Sequence, residues 1–136
     1  MMVREKNAKA DFVVVGGGMA GLCAAVAAAR NGAKTLIIQD RPMFGGNASS
    51  EIRMWICGAH GPNRKETGLL EELQLDNLYF NPELHYTIWD DVMYNFVRQQ
   101  PNLSMLLNSS VESVEVEDGK IRSVTAWNLV EYTRYR

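Results

Sequence analysis

Three glycines, Gly16, Gly18 and Gly21, stand in a Gly-x-Gly-x-x-Gly pattern. The chemistry this spacing permits is the holding of a diphosphate by bare main chain. Gly16 allows a tight turn. Gly18 removes a side chain where a phosphate approaches. Gly21 lets a helix pack closely on a strand. Met19 and Ala20 lie between them, where the first N–H groups of a helix point outward with a partial positive charge. The pattern is weak alone and gains force from its context, because it follows a strand-like run and opens a helical one. Such fingerprints expect an acidic residue about 20 positions on, at a ribose. Gln39 stands 18 residues after Gly21, with Asp40 beside it and Arg41 next. A glutamine amide accepts from a hydroxyl more weakly than a carboxylate does. Asp40 takes the role if the strand end bends, and a solvated loop charge is its plain alternative. Arg41 is a candidate for the adenosine side.

A second group of reactive types lies in EIRMWICGAHG, residues 51–61, which holds Arg53, Cys57 and His60. Cys57 has no cysteine partner at dithiol spacing, and Cys23 is the other cysteine of the chain. A buried, inert thiol is the simpler reading for Cys57, and packing is the reading for Cys23. His60 between glycines is a loop histidine or a general base. Arg53 is read first as one half of an ion pair. His85 is read as structural, and Trp55, Trp89 and Trp127 as core or interface residues. No serine nucleophile elbow occurs, and Asp90 and Asp91, adjacent on a helix, do not share a face. No metal site is expected.

The elements that must position these residues follow from periodicity. Residues 1–10 read as a polar tail. Phe12–Val15 reads as a short strand buried on both faces. The pattern predicts a helix over 19–30, with Leu22, Val26 and Ala29 on one face and Asn31-Gly32 as its stop. Thr35–Ile38 is the second strand, which completes a β-α-β unit. Residues 41–50 read as a loop carrying Gly45-Gly46, residues 51–62 are ambiguous, and 66–75 reads as a short helix. Asn81-Pro82 predicts a helix start, with Leu84, Ile88, Val92 and Phe96 on its inner face. Leu103–Leu107 is a third strand. Val111–Val116 and Ile121–Ala126 flank Asp118-Gly119 and predict a hairpin.

With these segments placed, DFVVVGGGMAGLCAAVAAARNGAKTLIIQD and the following RPMFGGNASSE resemble the N-terminal region of FAD-dependent oxidoreductases of the glutathione-reductase-like superfamily. The likeness is strongest over residues 11–50 and returns over 103–126. It implies an α/β, Rossmann-like FAD-binding domain over 11–136, with a parallel sheet, helices packed on it and a small β-meander. It also implies that the chain is the N-terminal part of a longer enzyme. By resemblance, Gly16, Gly18, Met19, Ala20 and Gly21 contact the pyrophosphate. Gln39, where the family has Glu, and Asp40 sit at the ribose. Gly45, Gly46, Asn47 and Ala48 line the flavin side, and Val111 presents its backbone to adenine. Residues 51–61 then lie near the flavin ring, where Arg53 could neutralise a reduced flavin or bind an anionic substrate. The roughly 60 residues between the second and third strands favour FAD over a nicotinamide dinucleotide, since a longer cofactor needs a second approach of bare backbone. The alternatives are an NAD(P)-dependent dehydrogenase domain and a non-catalytic nucleotide-binding module.

The 136 residues suffice for one domain. The chain is 46% hydrophobic and 22% charged, with net charge −2, which is the profile of a globular protein. That balance supplies no basic footprint for nucleic acid or for an anionic membrane surface. The expectation is a cytoplasmic oxidoreductase acting on a small-molecule substrate, with neither nucleic acid nor membrane as partner. Nothing in the sequence sets an oligomeric state.

Overall fold

The computed structural model describes residues 3–59 and 61–136. Strand β1 (Arg4–Lys6) is followed by β2 (Phe12–Val15), helix α1 (Met19–Arg30) and β3 (Thr35–Ile38). Then come a single 3-10 turn (Gly46–Ala48), α2 (Gly68–Phe80), α3 (Tyr86–Arg98), β4 (Leu103–Leu106), β5 (Ser109–Glu117), β6 (Lys120–Asn128) and β7 (Thr133–Tyr135). β2, β3 and β4 form a parallel sheet in that order, with Phe12 opposite Thr35 and Thr35 opposite Leu103. β5, β6 and β7 form an antiparallel meander, and β1 adds to β7 in parallel. This is the expected α/β architecture.

Helices cover one face of the parallel sheet. Leu22, Ala25, Val26 and Ala29 of α1 meet Ile37 and Leu103, with Val14 and Met105 packed at the margin. α3 adds Trp89, Val92, Met93, Phe96 and Val97, and α2 adds Leu73. Alanines keep α1 slim and bury little area each, so most apolar area on this face comes from α3. Arg30 at the end of α1 donates two 2.7 Å hydrogen bonds to the Glu72 carboxylate and ties α1 to α2. Those bonds hold the Glu72 carboxyl below the ordinary carboxylate range. No helix among the described residues is long and apolar enough to cross a membrane.

Several sequence expectations need correction. Phe12, Val13 and Val15 are 46%, 40% and 56% exposed, not buried on both faces. β2 is an edge strand of a three-stranded sheet, and the sheet's second face opens on a cleft of 520 Å³ between Val13, Leu36, Ile38 and the meander residues Val124 and Ala126. The supposed tail contributes β1, because main-chain pairing needs no apolar side chains and charged residues suit a sheet edge. β7 lies in the polar stretch after residue 130 and pairs through main chain on both sides, with β1 and β6. α3 starts at Tyr86 and not at Pro82. Asn81 is buried, accepts from the His85 N–H at 2.8 Å, and ends α2 as its C-cap. The buried stripe of α3 is therefore rotated: Leu84 precedes the helix at φ 57° and Ile88 faces solvent. The hairpin turn stands as expected, with Asp118 and Gly119 both at positive φ, the signature of the tight primed turn.

Candidate functional site

The β2-to-α1 turn is built almost entirely from main chain. Gly16 adopts φ +103° and donates its N–H to the Ile38 carbonyl at 2.8 Å, which turns the chain sharply off β2. Gly18 is the N-cap of α1, extended at φ −64° and ψ 176°, and no side chain caps the helix. Its carbonyl accepts the Leu22 N–H at 2.9 Å, while the first-turn N–H groups have no intrahelical acceptor. A Cβ added at Gly18 would meet no atom within 4 Å. One added at Gly21 would collide with the Gly16 carbonyl oxygen and press on Val14. One glycine is thus bare beside open space, and the other is bare because helix and strand touch. An uncapped helix start beside an open Cβ position suits an anion such as a diphosphate.

The contact at Gly21 gives a first expected outcome. Gly21→Ala gains helix propensity of about 1 kcal/mol, yet its methyl must displace backbone, an overpacking cost of about 1–3 kcal/mol or more. A net loss of stability is expected in urea denaturation, and a neutral or stabilising result would contradict the close packing.

A second turn lies against the first. Gly45 donates to the Gly17 carbonyl at 2.8 Å, and Gly18 and Gly45 form an isolated parallel bridge. A Cβ at Gly46 would come within 3.3 Å of the Gly18 Cα, and one at Gly45 would meet Met93 at 2.6 Å. Asn47 accepts the Met54 N–H, and the buried Trp89 indole donates to the Ala48 carbonyl at 2.9 Å. Asp90 accepts the Ser50 N–H at 2.9 Å. Ser49, fully buried, donates its hydroxyl to the Gly46 carbonyl. α3 therefore buttresses the Gly45–Ser50 turn through Trp89, Asp90 and Met93. Sequence reasoning missed these supports, together with Phe44, which is buried against Gly17. The available signals were Phe44 directly before Gly45-Gly46, and Trp89-Asp90 on the strongly amphipathic helix.

At the end of β3, Gln39 is buried and Asp40 exposed. Arg41 is exposed and lies 3.7 Å from the Glu51 carboxylate. Ser109 at the start of β5 donates its N–H to the Gln39 carbonyl at 2.9 Å, and Val111 lies two residues further along β5. Val111 pairs with Ala126 at a register shift in the hairpin.

Of the reactive candidates of residues 51–61, Arg53 and Cys57 fall among the described residues. Arg53 sits at φ 62°, donates to the Ser50 carbonyl and lies over the Tyr86 ring, whose hydroxyl donates to the Arg53 carbonyl at 2.8 Å. Among the described residues it makes these contacts in place of an ion pair. Cys57 is exposed, which corrects the reading of a buried thiol. Its segment has no regular element to cover it. His60 lies outside the described residues. Cys23 is half-buried against the core, and burial pushes its thiol pKa up. His85 pairs with Glu83 at 2.8 Å on the surface. Trp55 is 71% exposed, and only Trp89 of the three tryptophans is fully in the core.

The family model described as FAD dependent oxidoreductase matches residues 11–135. Two curated relatives are the tRNA uridine 5-carboxymethylaminomethyl modification enzymes MnmG of Bacillus licheniformis and Bacillus subtilis. Each is 31% identical, over 90% and 84% of this chain but only 22% and 21% of its own length. The chain thus spans about a fifth of the curated relatives it matches. Among solved structures, it resembles E. coli quinol fumarate reductase FrdA at TM-score 0.59 and 19% identity, over 98% of this chain and 32% of that one. It also resembles L-proline dehydrogenase from P. horikoshii at TM-score 0.56 and 17% identity, over 97% and 22%. Aquifex aeolicus GidA aligns at TM-score 0.52 and 20% identity, over 96% and 24%. At these identities the structures establish the fold. The two MnmG relatives, proteins named for tRNA modification, contradict one expectation, that nucleic acid is no partner. The charge balance of a chain about a fifth as long as those relatives does not represent their full surfaces. The family match also decides between the dinucleotides left open by the glycine pattern: this chain belongs to the FAD dependent oxidoreductase family, and FAD is its cofactor.

Proposed function

We propose that residues 11–136 form the FAD-binding portion of a longer, cytoplasmic flavin-dependent oxidoreductase that moves a hydride between a small organic substrate and FAD. The observation that carries this reading is the open, uncapped start of α1 beside a second bare turn, within a chain that matches the FAD family along nearly its whole length. When bound, the cofactor supplies the two-electron redox chemistry. The chain's own part is binding and orientation. Main-chain N–H groups around Gly16, Gly18, Met19, Ala20 and Gly21 hold the pyrophosphate. Asp40, Gln39 and Arg41 form the ribose and adenosine corner, with the Val111 backbone toward adenine. Gly45, Gly46, Asn47 and Ala48 give the flavin half a surface of bare backbone, braced by Trp89. Arg53, Cys57 and His60 are candidates for facing substrate.

The test is purification of the full protein and titration with FAD, followed by flavin fluorescence. A yellow preparation, or saturable quenching at one FAD per chain with flavin bleaching by a substrate reductant, supports the reading. A colourless protein that leaves added FAD unquenched overturns it.

A second reading for the substrate is favoured by the 31% identity to the two MnmG proteins. In it the whole enzyme acts on a base in tRNA. Retention of tRNA by the full protein in filter binding, weakened by salt as phosphate contacts require, would select this reading over a small free substrate.

A further inference from the structure

We propose that one face of α3 is a clip that sets the flavin side of the cradle, and that Asp90 is its positioning residue. The inference rests on the FAD reading for its binding consequence, although the clip itself does not. Tyr86, Trp89, Asp90 and Met93 stand at i, i+3, i+4 and i+7 of α3, the spacing that lines side chains along one stripe of a helix. Each holds a different point of residues 45–53. Met93 lies against Gly45, 2.6 Å from where a Cβ would stand. The Trp89 indole donates to the Ala48 carbonyl at 2.9 Å, and Asp90 Oδ1 accepts the Ser50 N–H at 2.9 Å. The Tyr86 hydroxyl donates to the Arg53 carbonyl at 2.8 Å. The clipped segment is also closed on itself. Arg53 donates its N–H to the Ser49 carbonyl at 2.8 Å, and Met54 donates to the Asn47 carbonyl at 2.9 Å. Arg53 thereby keeps φ 62°, a left-handed conformation that persists in a non-glycine residue where its neighbours over-determine it.

The first turn is braced from elsewhere. Gly16 donates to the Ile38 carbonyl at 2.8 Å. Gly17 donates its N–H to Gln39 Oε1 at 2.7 Å, and Gln39 Nε2 donates to the Met43 carbonyl at 3.1 Å. Among the described residues no hydrogen bond joins α3 to residues 16–21. The two bare turns touch, yet the end of β3 supports the diphosphate end and α3 supports the flavin end. Trp89 and Met93 also belong to the core, whereas Asp90 is half-buried and stands outside it. Asp90 can therefore be altered without opening the core. Its loss frees the Ser50 N–H, loosens residues 48–53 and weakens the hold on the flavin half of the dinucleotide, while the ADP half keeps its support.

The test uses the full protein and titrates wild type, Asp90→Ala, Asp90→Asn and Tyr86→Phe with FAD and with ADP. Asp90→Ala weakens FAD binding by about tenfold and leaves ADP binding within about twofold of wild type. Asp90→Asn restores FAD binding to within about threefold of wild type, because the amide oxygen still accepts the Ser50 N–H. Tyr86→Phe deletes a single oxygen and disturbs no packing; it costs FAD about threefold and ADP nothing. Without cofactor, hydrogen exchange at the Ser50 amide is faster in Asp90→Ala than in wild type, and exchange at the Gly17 amide is unchanged. An equal loss for FAD and ADP overturns the proposal, as does an Asp90→Ala protein that binds FAD normally or an Asp90→Asn protein that is not rescued. A wild type that binds FAD but no ADP also overturns it, since the first turn then holds nothing by itself. A wild type that binds neither defeats the flavin reading instead, and the exchange rates at Ser50 and Gly17 still decide for or against the clip.

Discussion

Gly18→Glu is expected to abolish FAD binding while leaving stability within about 0.5 kcal/mol of wild type. The two halves of that result come from separate features of one residue. The backbone at Gly18 has φ −64° and ψ 176°, which any L-residue adopts without strain. An added Cβ meets nothing within 4 Å, so the fold has no reason to resist. A carboxylate near a helix N-terminus is even mildly favourable. That same carboxylate would occupy the diphosphate's place and repel it. Gly18→Ala is the milder case, with a methyl that must be accommodated between main chain and phosphate, and a loss of about tenfold or more is expected. Thermal melts and FAD titrations on the same preparations separate the two effects. A Gly18→Glu protein that melts normally and binds FAD normally would remove the diphosphate from this turn.

Phe44→Ala is expected to cost about 3–5 kcal/mol, a large share of the roughly 5–15 kcal/mol that holds a domain together. Phe44 is fully buried although it sits in a loop. Its ring lies so close to Gly17 that a Cβ there would stand 2.6 Å from Cδ1. Removing it opens a cavity directly beneath the cradle, between the Gly17 turn and the core made by α1 and α3. The midpoint of urea unfolding should fall with little change in slope. FAD affinity should fall with it, because Gly17 and Gly45 lose the surface that fixes their separation. A loss under about 1 kcal/mol would show that the ring is not the floor of the site.

Local pattern made much of this fold legible. The β2-α1-β3 unit and the Asp118-Gly119 hairpin announce themselves through glycine position and hydrophobic period, because each closes with its nearest neighbours in sequence. What escaped depends on contacts made at a distance. Phe12–Val15 has the composition of a doubly covered strand, but coverage depends on what other segments pack against it. β1, at a sheet edge, and β7, between β1 and β6, have no apolar signal, since they pair through main chain. The register of α3 escapes the sequence because Asn81, a good helix N-cap by type, closes α2. In the site, the glycines were visible and their supports were not. Gln39 read as a weakened ribose ligand, and its bonds to Gly17 and Met43 follow only from the folding of residue 43 back over the first turn. Cys57 was read as buried on its residue type, and lies exposed because residues 51–59 form no helix or strand.

The claim on which the rest depends is that main-chain N–H groups at the start of α1 receive the diphosphate of FAD. Amide chemical-shift mapping during an FAD titration tests it most directly. The account predicts that the largest shifts fall on Gly18, Met19, Ala20 and Gly21, with a second set at Gly45 and Gly46. Saturable binding that leaves those amides unmoved, and shifts instead the residues lining the cleft between β2–β4 and the meander, would contradict it.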